Sequence, residues 1–179
     1  MIHDASAVLR ALGLPTDRAL ERLELERLTG ALAARRELWE PHIDPDASER
    51  TYACLHRDAQ LDVWAIFWLP ENDTGWHDHD TSSGAVHVVS GALEEHALLV
   101  AAPERRTNYA AGRAFTFGPS HIHRVTCATP RAVSIHAYSP PLWRLGQYSV
   151  DPGGALHRLS VSYADELRPL EPGMLPAAA

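Results

Sequence analysis

Apolar positions follow two periods along this chain, and the change falls near residue 45. Before it, Ala19, Leu20, Leu23, Leu25, Leu28, Leu32 and Ala33 recur at helical spacing. Glu21, Arg22, Glu24, Glu26, Arg27, Arg35 and Arg36 occupy much of the remainder. The pattern predicts a helical cap over residues 1–45, with one amphipathic helix laying its stripe on the protein's own core. Leu14-Pro15-Thr16-Asp17 marks its entry, and Asp17 suits a helix N-terminus.

After residue 50 the period becomes two. Thr51–His56 and Leu61–Trp68 read as strands joined by the polar turn Arg57-Asp58-Ala59-Gln60. The second is nearly all apolar, so both of its faces are expected to be covered. Ala85–Ser90 and Ala92–Ala101 read as strands about Gly91, and Pro103–Gly112 reads as a polar loop. Arg113–Phe117, His121–Thr126 and Ala132–Tyr138 follow as strands, the last ended by Pro140-Pro141. Gln147–Val150 and Ala155–Ser162 predict a final hairpin. Short strands with frequent turns predict an antiparallel sandwich or barrel of eight to ten strands over 50–163. The expected organisation is mainly β: a single domain over 1–179 with a loose, Pro/Ala-rich tail over 171–179.

Composition narrows the function classes. A chain of 179 residues with 45% hydrophobic content buries an adequate core without disulfide staples, and its two cysteines imply no disulfide framework. A net charge of -7 disfavours nucleic acid or an anionic membrane as partner. No apolar run has membrane-spanning length, and the N-terminus lacks a basic region followed by an apolar core. The expectation is therefore a cytoplasmic protein; oligomeric state is left open.

The candidate chemistry lies in Gly75-Trp76-His77-Asp78-His79. On an extended strand, His77 and His79 leave the same face and can take adjacent positions on one metal ion. A second such pair, His121-Ile122-His123, follows far downstream. Neutral imidazole suits Fe, Zn, Cu and Ni, and three imidazoles leave coordination positions open. His77, His79 and one histidine of the second pair would make that set. Asp78 and Asp80 share the opposite parity, and Glu94 and Glu95 lie farther on, so an all-histidine set is the simpler reading. Ser134, His136 and Tyr138 put hydroxyl, imidazole and phenol on one strand face, a row able to pass a proton toward a bound oxygen. The competing reading turns that row to solvent and makes Val133, Ile135 and Ala137 the core. Trp64, Trp68, Trp76 and Phe117 are candidates for a pocket wall. His87 has no evident role.

These stretches resemble the cupin superfamily and, within it, the cysteine dioxygenase family of thiol dioxygenases. The matching runs are His77-Asp78-His79, with Gly84 where many cupins carry a Glu and Gly91 closing the motif, then His123-Arg124-Val125 and Ser134-Ile135-His136-Ala137-Tyr138-Ser139-Pro140-Pro141. The resemblance spans about residues 50–150. It implies a cupin-type jelly-roll barrel, Fe(II) bound by His77, His79 and His123, and an outer triad of Ser134, His136 and Tyr138. It implies oxidation of a small thiol by O2 to a sulfinate. Animal members cross-link the tyrosine to a cysteine at the position of Gly84, so that cross-link has no partner here. Cysteine-specific members hold the substrate carboxylate with the Arg of a Tyr-x-Arg run; here the run is Tyr52-Ala53-Cys54. A thiol does not replace a bidentate guanidinium. Arg50, Arg57, Arg124 and Arg144 are the possible substitutes, and the preferred thiol stays open. The alternative classes are a metal-dependent cupin acting on a non-thiol substrate and a non-catalytic small-ligand-binding cupin.

Overall fold

The computed structural model describes residues 5–151, 153 and 155–162. The expected tail lies outside them. Among the described residues three helices come first: α1 (Ser6–Ala11), α2 (Arg22–Ala33) and α3 (Arg36–Trp39). Eleven strands follow: β1 (Thr51–Arg57), β2 (Asp62–Trp68), β3 (Trp76–Asp78), β4 (Ser83–Ser90), β5 (Ala92–Leu99), β6 (Ala102–Ala110), β7 (Ala114–Phe117), β8 (His123–Cys127), β9 (Ala132–Ser139), β10 (Arg144–Val150) and β11 (Leu156–Ser162). They pair antiparallel into two sheets, ordered β1-β2-β9-β4-β7 and β11-β10-β3-β8-β5-β6. This is a mainly β, cupin-type barrel with a helical N-terminal segment.

The middle strands of the first sheet explain the layering. Side chains alternate across a strand, so β2 and β9 each present two faces. Val63, Ala65, Phe67, Val133, Ile135 and Ala137 pack in one cluster with Leu25, Leu28 and Leu32 of α2. Ile66, Trp68 and Tyr138 turn the other way, into a second cluster with Leu93, Val125 and Leu145 of the second sheet. The first sheet is thus covered by helices outside and by the second sheet inside, which accounts for the apolar character of β2. Leu25, Leu28 and Leu32 are fully buried, each contributing roughly 1.5–3 kcal/mol of transfer free energy.

Two boundaries differ from the sequence expectation. Helix α2 starts at Arg22, not near Asp17, because the Glu21 amide donates to the Glu24 carboxylate at 2.8 Å and the chain is extended at Glu21. The 103–112 stretch is not a loop: β6 runs through it. It is an open edge, paired to β5 alone, and mostly exposed, so it needs no apolar alternation. Pro103 sits where the β5–β6 register slips, the kind of edge position that tolerates a missing N–H.

Candidate metal centre

Strand β3 is only three residues long and lies between β10 and β8, where His77 pairs directly with His123. Alternation turns His77 inward, Asp78 outward and His79 inward. The three imidazole rings sit 4.7 to 5.0 Å apart, centroid to centroid. One nitrogen of each lies within 4.8 Å of the others, all in buried residues. Both nitrogens of His79 and Nε2 of His123 have no hydrogen-bond partner although they are buried. Such groups cost about 1–3 kcal/mol each when left unmade. Three convergent buried imidazoles, two of them with orphaned nitrogens at His79 and His123, are the donor set of a first-row metal ion, and the residues fit one.

Two of the rings are held by their other nitrogen. Nδ1 of His77 donates to the Gly75 carbonyl at 3.0 Å, and Nδ1 of His123 donates to Glu95 Oε1 at 2.9 Å. Each bond fixes the tautomer that leaves Nε2 as a lone-pair donor. His79 is wedged between Phe117, ring centroid at 4.3 Å, and Tyr138 at 5.5 Å. Burial pushes His79 well below the ordinary imidazole range, helped by His77 and His123 nearby. Burial takes His123 down to about 3 although Glu95 opposes it. His136 is also near 3, through burial and then the charge of Arg50.

These shifts set a pH dependence. Above about pH 6.5 the imidazoles are neutral folded and unfolded, so nothing is lost. Between about pH 6.5 and 3 the unfolded chain takes up protons that His123 and His136 refuse when folded. Stability must fall with pH there, by up to about 1.4 kcal/mol per unit per histidine. Urea unfolding of metal-free protein is expected to show a lower midpoint at pH 5 than at pH 7.5. An unchanged midpoint would mean that these rings protonate in place.

The β9 row faces this site. Ser134 Oγ lies 2.8 Å from Nε2 of His136, and Nδ1 of His136 lies 3.1 Å from the Tyr138 hydroxyl. The Trp68 indole donates to Ser134 at 2.8 Å. All three members are buried, so the solvent-facing alternative is excluded: Val133, Ile135 and Ala137 are buried as well, on the helix side. His136 and Tyr138 of the row line one cavity with the three histidines, together with Trp64, Trp68 and Phe117, and Ser134 stands behind His136. The cavity is narrow and largely apolar, with room for water-sized molecules. Trp76 does not line it; its ring meets His96 edge-on at 6.4 Å. Gly84 lies between Tyr138 and Phe117 in the sheet register, and a Cβ there would sit 2.3 Å from the Phe117 ring. Phe117 therefore fills the space that a side chain at 84 would need.

The four arginines separate cleanly. Arg57 forms a bidentate pair with Asp62 at 2.5 and 2.6 Å, Arg124 pairs with Asp73, and Arg144 is exposed on β10. Arg50 alone of them lines the cavity, its guanidinium 5.4 Å over the Trp68 ring. Cys54 is exposed and is not part of the lining. His87 packs beside Gly30 of α2, on the far side of the first sheet. His121 sits just before β8 and points to Glu95, at 2.9 Å, not to His77 and His79.

Glu95 is the residue that sequence reasoning missed. It pairs with Val125 of β8, two positions from His123 and so on the same face of the sheet. Burial raises its pKa, but hydrogen bonds from His121 and His123 outweigh burial and bring it to about 2. The signal for it was its spacing from a histidine on a neighbouring strand, which needs the β5–β8 register.

A family model described as cysteine dioxygenase type I matches residues 16–151 of the chain. Among solved structures, a protein with a double-stranded β-helix domain from Klebsiella pneumoniae is 18% identical, with TM-score 0.49 over 56% of this chain and 80% of its own. A cupin superfamily protein from Desulfitobacterium hafniense is 6% identical, with TM-score 0.49 over 57% of this chain and 87% of its own. No helix among the described residues is long and apolar enough to cross a membrane.

Proposed function

Because the chain belongs to the cysteine dioxygenase type I family, we propose that it is an iron-dependent thiol dioxygenase acting on a small thiol that carries a carboxylate. The overall change is R–SH + O2 → R–SO2H, in which sulfur supplies every electron that O2 takes and both oxygen atoms end on it. The observation that carries this reading is the convergence of His77, His79 and His123 with His136 and Tyr138 in one cavity. The three imidazoles would hold Fe(II), which supplies, when bound, a Lewis-acidic, redox-active centre for thiolate and dioxygen.

The remaining tasks fall to the chain's own side chains. Ile66, Trp68, Val86, Phe117 and Leu142 wall the cavity and exclude bulk water. With the Trp68 N–H donating into Ser134, the serine hydroxyl donates to His136 Nε2. His136 Nδ1–H then donates to the Tyr138 oxygen, which puts the phenol at the cavity end of the row. Arg50 supplies a guanidinium for the substrate carboxylate in place of the missing one at Cys54.

Fe(II)-loaded protein is expected to consume oxygen and form a sulfinate, detected by mass spectrometry, with at least one of cysteine, 3-mercaptopropionate and homocysteine. No sulfinate from any of them would sink the proposal. In Arg50→Met the loss of a charged hydrogen bond should raise KM for the carboxylate-bearing thiols by roughly 10–100-fold. Cysteamine, which has no carboxylate, should be unaffected. An equal loss with cysteamine would mean that Arg50 acts through Trp68 and His136 instead.

A further inference from the structure

Glu95 is a carboxylate 3% exposed, on the inner face of β5, and its side-chain hydrogen-bond partners among the described residues are two histidines and a tyrosine. A buried charge of that kind is tolerated only when its lone pairs are taken. Here Oε1 lies 2.9 Å from both His123 Nδ1 and His121 Nε2, and Oε2 lies 3.5 Å from the Tyr109 hydroxyl. A carboxylate only accepts, so both imidazole nitrogens facing it must carry their protons. A neutral His123 then has one lone pair, on Nε2. That atom is buried and unpartnered, and His123 belongs to the cluster with His77 and His79.

Glu95, His121 and His123 also lie close enough together to be read as a metal group in their own right. The two groups share His123, and a neutral imidazole offers its lone pair to only one of them. The Glu95 group is already satisfied by its own hydrogen bonds, whereas the three-histidine group leaves buried nitrogens unmade. We propose that Glu95 is a positioning residue that sets the tautomer and orientation of His123 for the metal, and that His121 serves to hold Glu95 and is not a ligand. Resting on the metal site of the preceding reading, this assigns a task to the histidine that the alternating pattern left ambiguous. The charge on Glu95 also raises the donor strength of His123, and outer partners of this kind are typically worth 10–100-fold in metal affinity.

The test is Fe(II) affinity of the full chain, measured anaerobically by chelator competition, so that it does not depend on turnover. Glu95→Leu is expected to weaken Fe(II) binding 10–100-fold. Glu95→Gln keeps an acceptor but loses the charge and should fall between Leu and wild type; His121→Leu should cost less than Glu95→Leu. Nitrogen-15 spectra of metal-free wild type should put the His123 proton on Nδ1. Affinity within about twofold of wild type in a folded Glu95→Leu protein would overturn the assignment, as would a His123 proton on Nε2. If Glu95→Leu does not fold, His121→Leu and the tautomer decide. A protein that meets these expectations yet oxidises no thiol keeps the positioning role and loses the catalytic reading.

Discussion

His79→Leu is expected to yield a chain that binds no iron, catalyses no oxygen uptake, and unfolds at a higher urea concentration than the metal-free parent. The ring is 1% exposed and neither nitrogen has a hydrogen-bond partner among the described residues. In the metal-free protein those atoms are a cost of about 1–3 kcal/mol for each group left unmade. Leucine has a similar volume, no polar atom, and the same aromatic neighbours in Phe117 and Tyr138. Removing the imidazole therefore relieves the folded state by about 1–2 kcal/mol while deleting one of three ligands. The same change at His123 should not stabilise, because it would leave Glu95 without one of its donors. Stability gained together with activity lost is the mark of a residue kept for chemistry. The measurements are iron per chain, oxygen uptake with the preferred thiol, and urea midpoints after chelation. Oxygen uptake equal to wild type would remove the site from the reaction.

What the sequence disclosed follows from how local each signal is. His77 and His79 are two residues apart, so period two alone turns them to one face. Their meeting with His123 needed the β3–β8 pairing, which a motif supplies and composition does not. The β9 row was legible as a row, but its direction was not. Whether Ser134, His136 and Tyr138 face the interior or solvent stays open until α2 is seen covering Val133, Ile135 and Ala137 on the other side. The β6 edge was unreadable as a strand because an edge exposed along most of its length carries no alternation to find. Arg50 stood level with three other arginines until it was seen that it alone of the four lines the cavity. Phe117 over Gly84 is a contact between strands, so nothing in either local sequence announces it.

Asp78→Ala is expected to cost about 2–4 kcal/mol of stability and to loosen the metal site without touching a ligand. Asp78 is the residue between the two histidines, turned to the outer face. Its carboxylate takes Nε and an Nη of Arg158 at 2.7 and 2.8 Å, the Tyr148 hydroxyl at 2.5 Å and the Gly146 amide at 3.1 Å. These partners hold its pKa far below the ordinary carboxylate range despite partial burial, so the pair survives down to strongly acid pH. Breaking a buried pair from one side costs about 3–5 kcal/mol, and partial exposure of Arg158, 36%, moderates that figure because water reaches the abandoned guanidinium. Gly146 belongs to the same device: a Cβ there would lie 2.1 Å from Arg158 Nε, so only glycine lets the guanidinium lie across β10 to Asp78. The consequence for the metal follows from the shortness of β3. On the β8 side its register rests on His77 opposite His123 alone, and on the other side on three residues of β10. Removing the carboxylate that ties β3 to β10 and β11 frees the backbone that carries His77 and His79. Fe(II) affinity should fall along with the urea midpoint, and in Arg158→Ala both should fall in parallel. The double variant should then cost less than the sum of the two single changes, because they remove one shared interaction. Strict additivity, or a loss under about 1 kcal/mol in Asp78→Ala, would mean that the outer face plays no part in holding the inner one.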